Sequence, residues 1–314
     1  MDAYNGRARL LDGFMSADGE ILFGGPSPNG WSKFGAFTKC LRLGGFVTHP
    51  SDDPVIVEAF RPTAALIRGS LAHVGWAQYY ARTRAIQRDE PYTAYASPVA
   101  AMQAYAEEED AKSDGLGLQW RDFVDVCHQA LVAYHAHWRQ DEWRVLDVEH
   151  VYDVPIPLPG PAWTLRLDLV VENAKGEVII VDHKSTGYYR RAALDAYSMS
   201  GQVLGFHWLG PWLVSPAGPY PGKTFGGVIL NFAEFIEGTA SDPAYTFAFR
   251  RERPHLAATA VRRLPSTLRF YSQLRLDLEA SGVPYEEWPG AYNEQVCRGP
   301  YGLCPAYELC RLRR

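Results

Sequence analysis

The sequence has no apolar run of the about 18 residues that a membrane-spanning helix needs, and its first residues lack a basic segment followed by an apolar one. These absences lead us to expect a cytoplasmic, unprocessed protein with no membrane partner. Cysteine is scarce: five in 314 residues do not suggest a secreted disulfide scaffold, so their spacing is read first for metal. Positive charge is not in excess, with 31 Lys and Arg against 36 Asp and Glu for a formal charge of -5. That balance argues against indiscriminate coating of nucleic acid, although a local basic segment can still form a track. There is no internal repeat. No helicase motif is present either, so any unwinding would come from a helicase or recombination protein as partner.

What is present is an ordinary globular composition, 47% hydrophobic and 13% aromatic, in a chain long enough for a large core. Its organising stretch is Trp163 to Thr186. Trp163, Leu165, Leu167, Leu169 and Val171 recur with period two, which predicts a strand with one buried face and Asp168 on the other. Val178 to Val181 is β-branched and too short for a helix, so it reads as a strand buried on both sides that ends in Asp182-His183-Lys184. Asn173-Ala174-Lys175-Gly176 suits a three-residue hairpin loop with Gly176 left-handed, pairing Asn173 with Glu177. Counting back from that pair sets Asp168 opposite Asp182, with Lys184 on the same face. A two-residue loop would shift the register and separate the aspartates. Two facing carboxylates at the end of an apolar hairpin repel each other and resist burial unless a cation joins them. Magnesium or manganese would suit such hard oxygen donors, with Lys184 beside them. The competing reading is a surface hairpin carrying a salt bridge.

Elsewhere, residues 1–30 are rich in glycine and proline and predict a loose arm. Trp31 to Phe46 has helical spacing and contains Cys40. A proline-marked break from Pro50 to Pro62 precedes a helix from Thr63 to Arg84 that carries Gly69 and His73. Glu107 to Asp110 reads as a solvated acidic face. Leu118 to Arg139 reads as a helix, and its His128, His135 and His137 as surface or packing residues. Period two returns from Arg144 to Ile156, with Val148, His150 and Tyr152 on one face and Asp147, Glu149 and Asp153 on the other. A helical span from Arg190 to Gly210 includes Gln202. Strands at Thr224–Phe235 and Tyr245–Arg251 precede a long basic helix, Leu256 to Ser281, with Arg262, Arg263, Arg269 and Arg275. Ala217 to Thr224 approximates a phosphate-binding loop, but the strand expected after it is the wrong element for one.

The ordered set Asp168, Asp182-His183-Lys184 and Gln202 resembles the PD-(D/E)XK nuclease superfamily, in particular its RecB-like exonuclease branch, which includes CRISPR-associated exonucleases. Gly69-x-x-x-His73 looks like that branch's upstream histidine motif, and Glu149 stands where a strand glutamate often precedes the first aspartate. The resemblance implies a mixed α/β sheet flanked by helices. It makes His73, Asp168, Asp182 and the carbonyl of His183 metal ligands, and Lys184, Glu149 and Gln202 catalytic. Phe206 stands where the branch often has tyrosine, so a hydroxyl contact there is lost unless Tyr197 supplies it. Some RecB-like nucleases also hold a four-iron, four-sulfur cluster on one cysteine before the core and three after it. Cys40, Cys297, Cys304 and Cys310 resemble that arrangement, and a structural zinc is the alternative for four thiolates. Cys127, alone on its helix, reads as packing.

The chain is thus expected to comprise an arm (1–30), a helical region (31–140), a nuclease core (141–252) and a basic helix with a cysteine-rich segment (253–314). The function expected is a magnesium- or manganese-dependent DNA exonuclease of recombination, repair or defence, acting on single strands or free ends. A noncatalytic DNA-end binding subunit and a site-specific endonuclease are the competing readings.

Overall fold

The computed structural model describes the chain except for residues 1–13, 16–20, 24–28, 50–52, 93, 113–118, 240–243, 292–293, 300–301 and 313–314. Its centre is a five-stranded mixed sheet in the order β3-β4-β5-β6-β7, formed by Arg144–Asp153, Thr164–Glu172, Glu177–Thr186, Thr224–Ile236 and Thr246–Glu252. Only the β5–β6 pair is parallel. A parallel pair cannot be closed by a tight turn, and the connection here is a helical crossover through α7 (Arg191–Ser198) and α8 (Gly201–Leu213).

The hairpin register follows from its turn. Gly176 has φ +78°, its N–H donates to the Asn173 carbonyl at 2.9 Å, and Asn173 N–H donates to the Glu177 carbonyl at 3.0 Å. The β4–β5 ladder then runs from Glu172↔Val178 to Leu169↔Val181. There the two strands part, while β4 stays paired with β3 to Thr164 and β5 with β6 to Thr186. The next step of the same register would be Asp168 facing Asp182.

Helices cover both faces of the sheet. On one face α4 (Ala64–Arg88), α5 (Pro98–Lys112) and α6 (Val124–His137) pack Leu71, Met102 and Tyr134 against Leu169, Val181 and Ile229. On the other, α8 and α9 (Ala258–Ala280) pack Phe206, Leu209 and Leu264 against Trp163, Ile180 and Val228. β4 therefore does not keep one buried face. Leu165 and Leu167 enter the second cluster and Leu169 and Val171 the first, so the strand changes faces at Asp168. A period-two reading misses this because both faces are apolar.

Other expectations are corrected. The helix at Trp31–Phe46 is two, α1 (Trp31–Lys39) and α2 (Leu41–Thr48), because Cys40 is extended at φ -162°, ψ 125°. The proline-marked break holds a short helix, α3 (Pro54–Ala59), capped by Asp53. The acidic run lies on α5 with Glu109 and Asp110 buried, not solvated; Lys112 pairs with Glu109, and Arg121 with Asp110 at 2.9 Å. Within the expected loose arm, most of which lies outside the described residues, Phe14–Met15 (β1) pairs with Ile21–Phe23 (β2). The arm's end is fastened by Asn29, whose N–H donates to Thr164 Oγ1 at 3.0 Å. Around the approximate phosphate loop, α8 precedes and β6 follows, the reverse of what phosphate cradling needs. Among the described residues no helix is long and apolar enough to cross a membrane.

Candidate active site

The site forms where β4 and β5 part. With the β4–β5 ladder ended at that point, the His183 amide donates to Asp168 Oδ2 at 2.8 Å, a side chain of β4 in place of a backbone carbonyl. One strand over, Glu149 would face Asp168 in the β3–β4 register, between Val148↔Leu169 and His150↔Leu167. Glu149 has φ +50°, an uncommon conformation for a residue with a side chain, and is buried while His150 is exposed. The alternation expected for β3 is inverted at this residue, and Arg166 Nη1 donates to the Glu149 carbonyl at 3.3 Å. A row of three carboxylates, Glu149, Asp168 and Asp182, thus crosses three neighbouring strands.

His73 reaches this row from α4. Gly69, one turn earlier on the same helix face, lies against β5: a Cβ there would come within 2.9 Å of Ser185 Oγ. The close approach brings His73 Nδ1 to 3.5 Å from Asp168 Oδ2, and ligand atoms of His73, Glu149 and Asp168 lie within 4.8 Å of one another. Burial, with help from Lys184, pushes the His73 pKa down to about 4, so its imidazole is neutral and able to ligate.

Asp182 lies beside this triangle, not inside it. Its Oδ2 is 2.6 Å from Lys184 Nζ, and its Oδ1 accepts from Gln202 Nε2 at 3.3 Å. Lys184 Nζ also donates to Gln202 Oε1 at 3.3 Å. The buried Asp182 Oδ2 is thus ion-paired with the ammonium. Burial pushes the Asp182 pKa up to about 6 against the pull of Lys184, and Asp168 is raised for the same reason. Burial opposes the charge on Lys184, but Asp182 and Asp168 outweigh it and raise its pKa. An excess of buried carboxylate beside a neutral imidazole suits a hard divalent cation.

His183 turns its side chain to the other face. The ring is buried, stacks on Trp76 at 4.8 Å and meets Asn231 Nδ2 at 2.9 Å, while its backbone is a hydrogen-bond partner of His73. Asn231 also donates to Tyr134 Oη at 2.6 Å, and Tyr134 meets Tyr80. Sequence reasoning missed this chain, though an asparagine inside the apolar run of β6 is its signal. Phe206 is fully buried core, and Tyr197 lies nearer the site with Lys184 Nζ 5.3 Å from its ring centre.

A second constellation lies apart from the first. Cys40, Cys297, Cys304 and Cys310 line one cavity of about 180 Å³ with Arg42, Leu43 and Tyr307, and all are free thiols. The break at Cys40 between α1 and α2 turns that residue into the cavity, and α10 (Tyr307–Leu312) supplies Cys310. A small core of Phe46, Ile56, Ala306 and Leu309 gives this end of the chain an apolar anchorage of its own. Among the described residues no three of the sulfurs lie within 4.8 Å of one another, whereas zinc with bonds of about 2.3 Å holds tetrahedral ligands about 3.8 Å apart. Cys127 is buried in the core among the α4–α6 side chains.

No protein-family model and no curated protein matches the chain. A solved structure, the crystal structure of SSO0001, aligns with 74% of this chain and 86% of its own at 16% identity. Its TM-score is 0.26, too low to bear on fold or activity.

Proposed function

We propose that the chain is a metal-dependent deoxyribonuclease of the PD-(D/E)XK type, acting as an exonuclease of recombination, repair or defence. The observation that carries this reading is the meeting of Glu149, Asp168, Asp182, His73 and Lys184 where β4 and β5 separate. His73, Glu149 and Asp168, with Asp182 alongside, would hold magnesium or manganese, and the His183 carbonyl is a further candidate ligand. Such a cation supplies Lewis-acid polarisation of a phosphoryl oxygen.

The chain's own groups divide the remaining work. Lys184 is kept protonated by its acidic neighbours, which suits it to neutralise negative charge gathering on a phosphate rather than to act as a base. Gln202 bridges Lys184 and Asp182 and holds the ammonium in place. We further propose that Cys40, Cys297, Cys304 and Cys310 hold a four-iron, four-sulfur cluster; their convergence on one cavity and a Cys-x6-Cys-x5-Cys spacing without the Cys-x2-Cys knuckle usual for zinc are the support.

The test is digestion of 5′- and 3′-labelled single- and double-stranded DNA, and of covalently closed circles, with magnesium or manganese. Loss of label from linear DNA alone, abolished by Lys184→Ala, is the expected result. Cutting of circles would instead mean an endonuclease, and end binding without cleavage a noncatalytic subunit.

A further inference from the structure

β5 does not end at Lys184. Asp182, Lys184 and Thr186 alternate onto one face, and Thr186 leads directly into Gly187-Tyr188-Tyr189-Arg190-Arg191. Tyr188 is 67% exposed, among the most exposed large side chains described. It is nevertheless held firmly: its N–H donates to Thr186 Oγ1 at 3.2 Å, and that hydroxyl donates to the Tyr188 carbonyl at 3.0 Å. The next residue fixes the segment from beneath. Tyr189 N–H donates to Glu234 Oε1 at 2.9 Å, and its ring lies 4.4 Å from the Arg250 guanidinium.

Charge around the segment is arranged to leave one cation over. Glu234 faces Arg250 at 3.5 Å and Glu252 faces Arg191 at 3.6 Å, so both underlying carboxylates are offset. Arg190 is exposed, has no carboxylate partner among the described residues, and sits 5.2 Å from the Tyr188 ring centre. An exposed ring carried on a backbone held in this way serves no packing purpose, and a cation beside it favours a ligand with alternating flat rings and negative charges.

We propose that Tyr188 and Arg190 form the platform on which a single-stranded nucleic acid lies as it enters the site, one base stacking on Tyr188 and a neighbouring phosphate meeting Arg190. The proposal rests on the nuclease reading and names its substrate: a single strand. Paired bases in a duplex are stacked on each other and present no free face to the ring. Two residues of strand, about 7 Å, separate Lys184 from Thr186, and Tyr188 follows two residues later on the same chain segment.

Binding can be read without cleavage, which keeps this proposal separate from the activity it builds on. A fluorescein-labelled dT20 and a blunt hairpin duplex are titrated with the full-length protein in calcium and, in parallel, in EDTA, and anisotropy gives Kd. Tyr188→Ala should weaken dT20 binding about tenfold, Tyr188→Phe should retain it, and Arg190→Gln should weaken it and flatten its salt dependence. Phe270→Ala, which removes another exposed ring, should change nothing. Unchanged dT20 binding in Tyr188→Ala, equal losses in Tyr188→Ala and Phe270→Ala, or no preference of the wild type for dT20 over the hairpin would each overturn the platform. Failure of cleavage with this binding pattern intact would instead overturn the nuclease reading.

Discussion

At the scale of single residues, Lys184 and Asp182 touch each other but should fail differently when removed. Lys184→Ala takes away an ammonium and no ligand. We expect cleavage to fall about a hundredfold or more while manganese binding by calorimetry is retained. Asp182→Ala should lose both. Wild-type rates in either variant would sink the assignment. The acidity of Asp182 adds a pH signature. A ligand must be deprotonated to bind, and burial holds this carboxyl near a pKa of about 6. Manganese should therefore raise Tm by a constant amount above about pH 7, and by progressively less below pH 6 as protons compete for the carboxylate. His73, at about 4, stays neutral across that window and adds no step of its own. Asp182→Asn should abolish the break near pH 6; a manganese effect in the wild type that is flat from pH 7.5 to 5 would remove Asp182 from the metal site.

At the scale of elements, the site depends on how closely α4 lies against β5, and Gly69 sets that distance. Gly69→Ala improves helix propensity by about 1 kcal/mol, yet its Cβ would press on Ser185 Oγ. We expect cleavage to fall on the order of tenfold through displacement of His73, and Gly69→Ala with Ser185→Ala to recover most of it. Equal activity in both variants would mean the contact is not what positions His73. This dependence was only partly legible in the sequence. The hairpin register could be counted because a single turn length and Gly176 determine it, and that count put Asp168 beside Asp182. The change of face in β4 could not, since leucines and valines fill both faces and period two carries no sign of which cluster each joins. The left-handed Glu149 had no glycine or asparagine to announce it; only the surrounding sheet imposes that conformation. Likewise the break at Cys40 follows no proline or glycine, and tertiary packing of α2 on Tyr285 and Trp288 accounts for it better than local preference.

For the whole molecule, the question is what ties the two ends of the chain together. Cys40 follows the first long helix and Cys297 to Cys310 close the sequence, so a shared cluster would fasten the N-terminal helices to the last turn. Closing so long a loop restrains the unfolded chain, but that entropy grows by only roughly 0.6 kcal/mol per doubling of length. The gain must come chiefly from the metal-thiolate bonds. The small core of Phe46, Ile56, Ala306 and Leu309 would remain without them, so the end should loosen without unfolding the sheet. We therefore expect that alanine at any of Cys40, Cys297, Cys304 or Cys310 bleaches a brown protein. The same changes should speed proteolysis after residue 290 and leave the manganese effect on the separate active site in place. Cys127→Ala, which only opens a small cavity in the main core, should keep the colour and lower Tm by a few degrees. Stoichiometric zinc without iron in an anaerobic preparation would overturn the cluster and spare the nuclease reading, because the two centres share no residue.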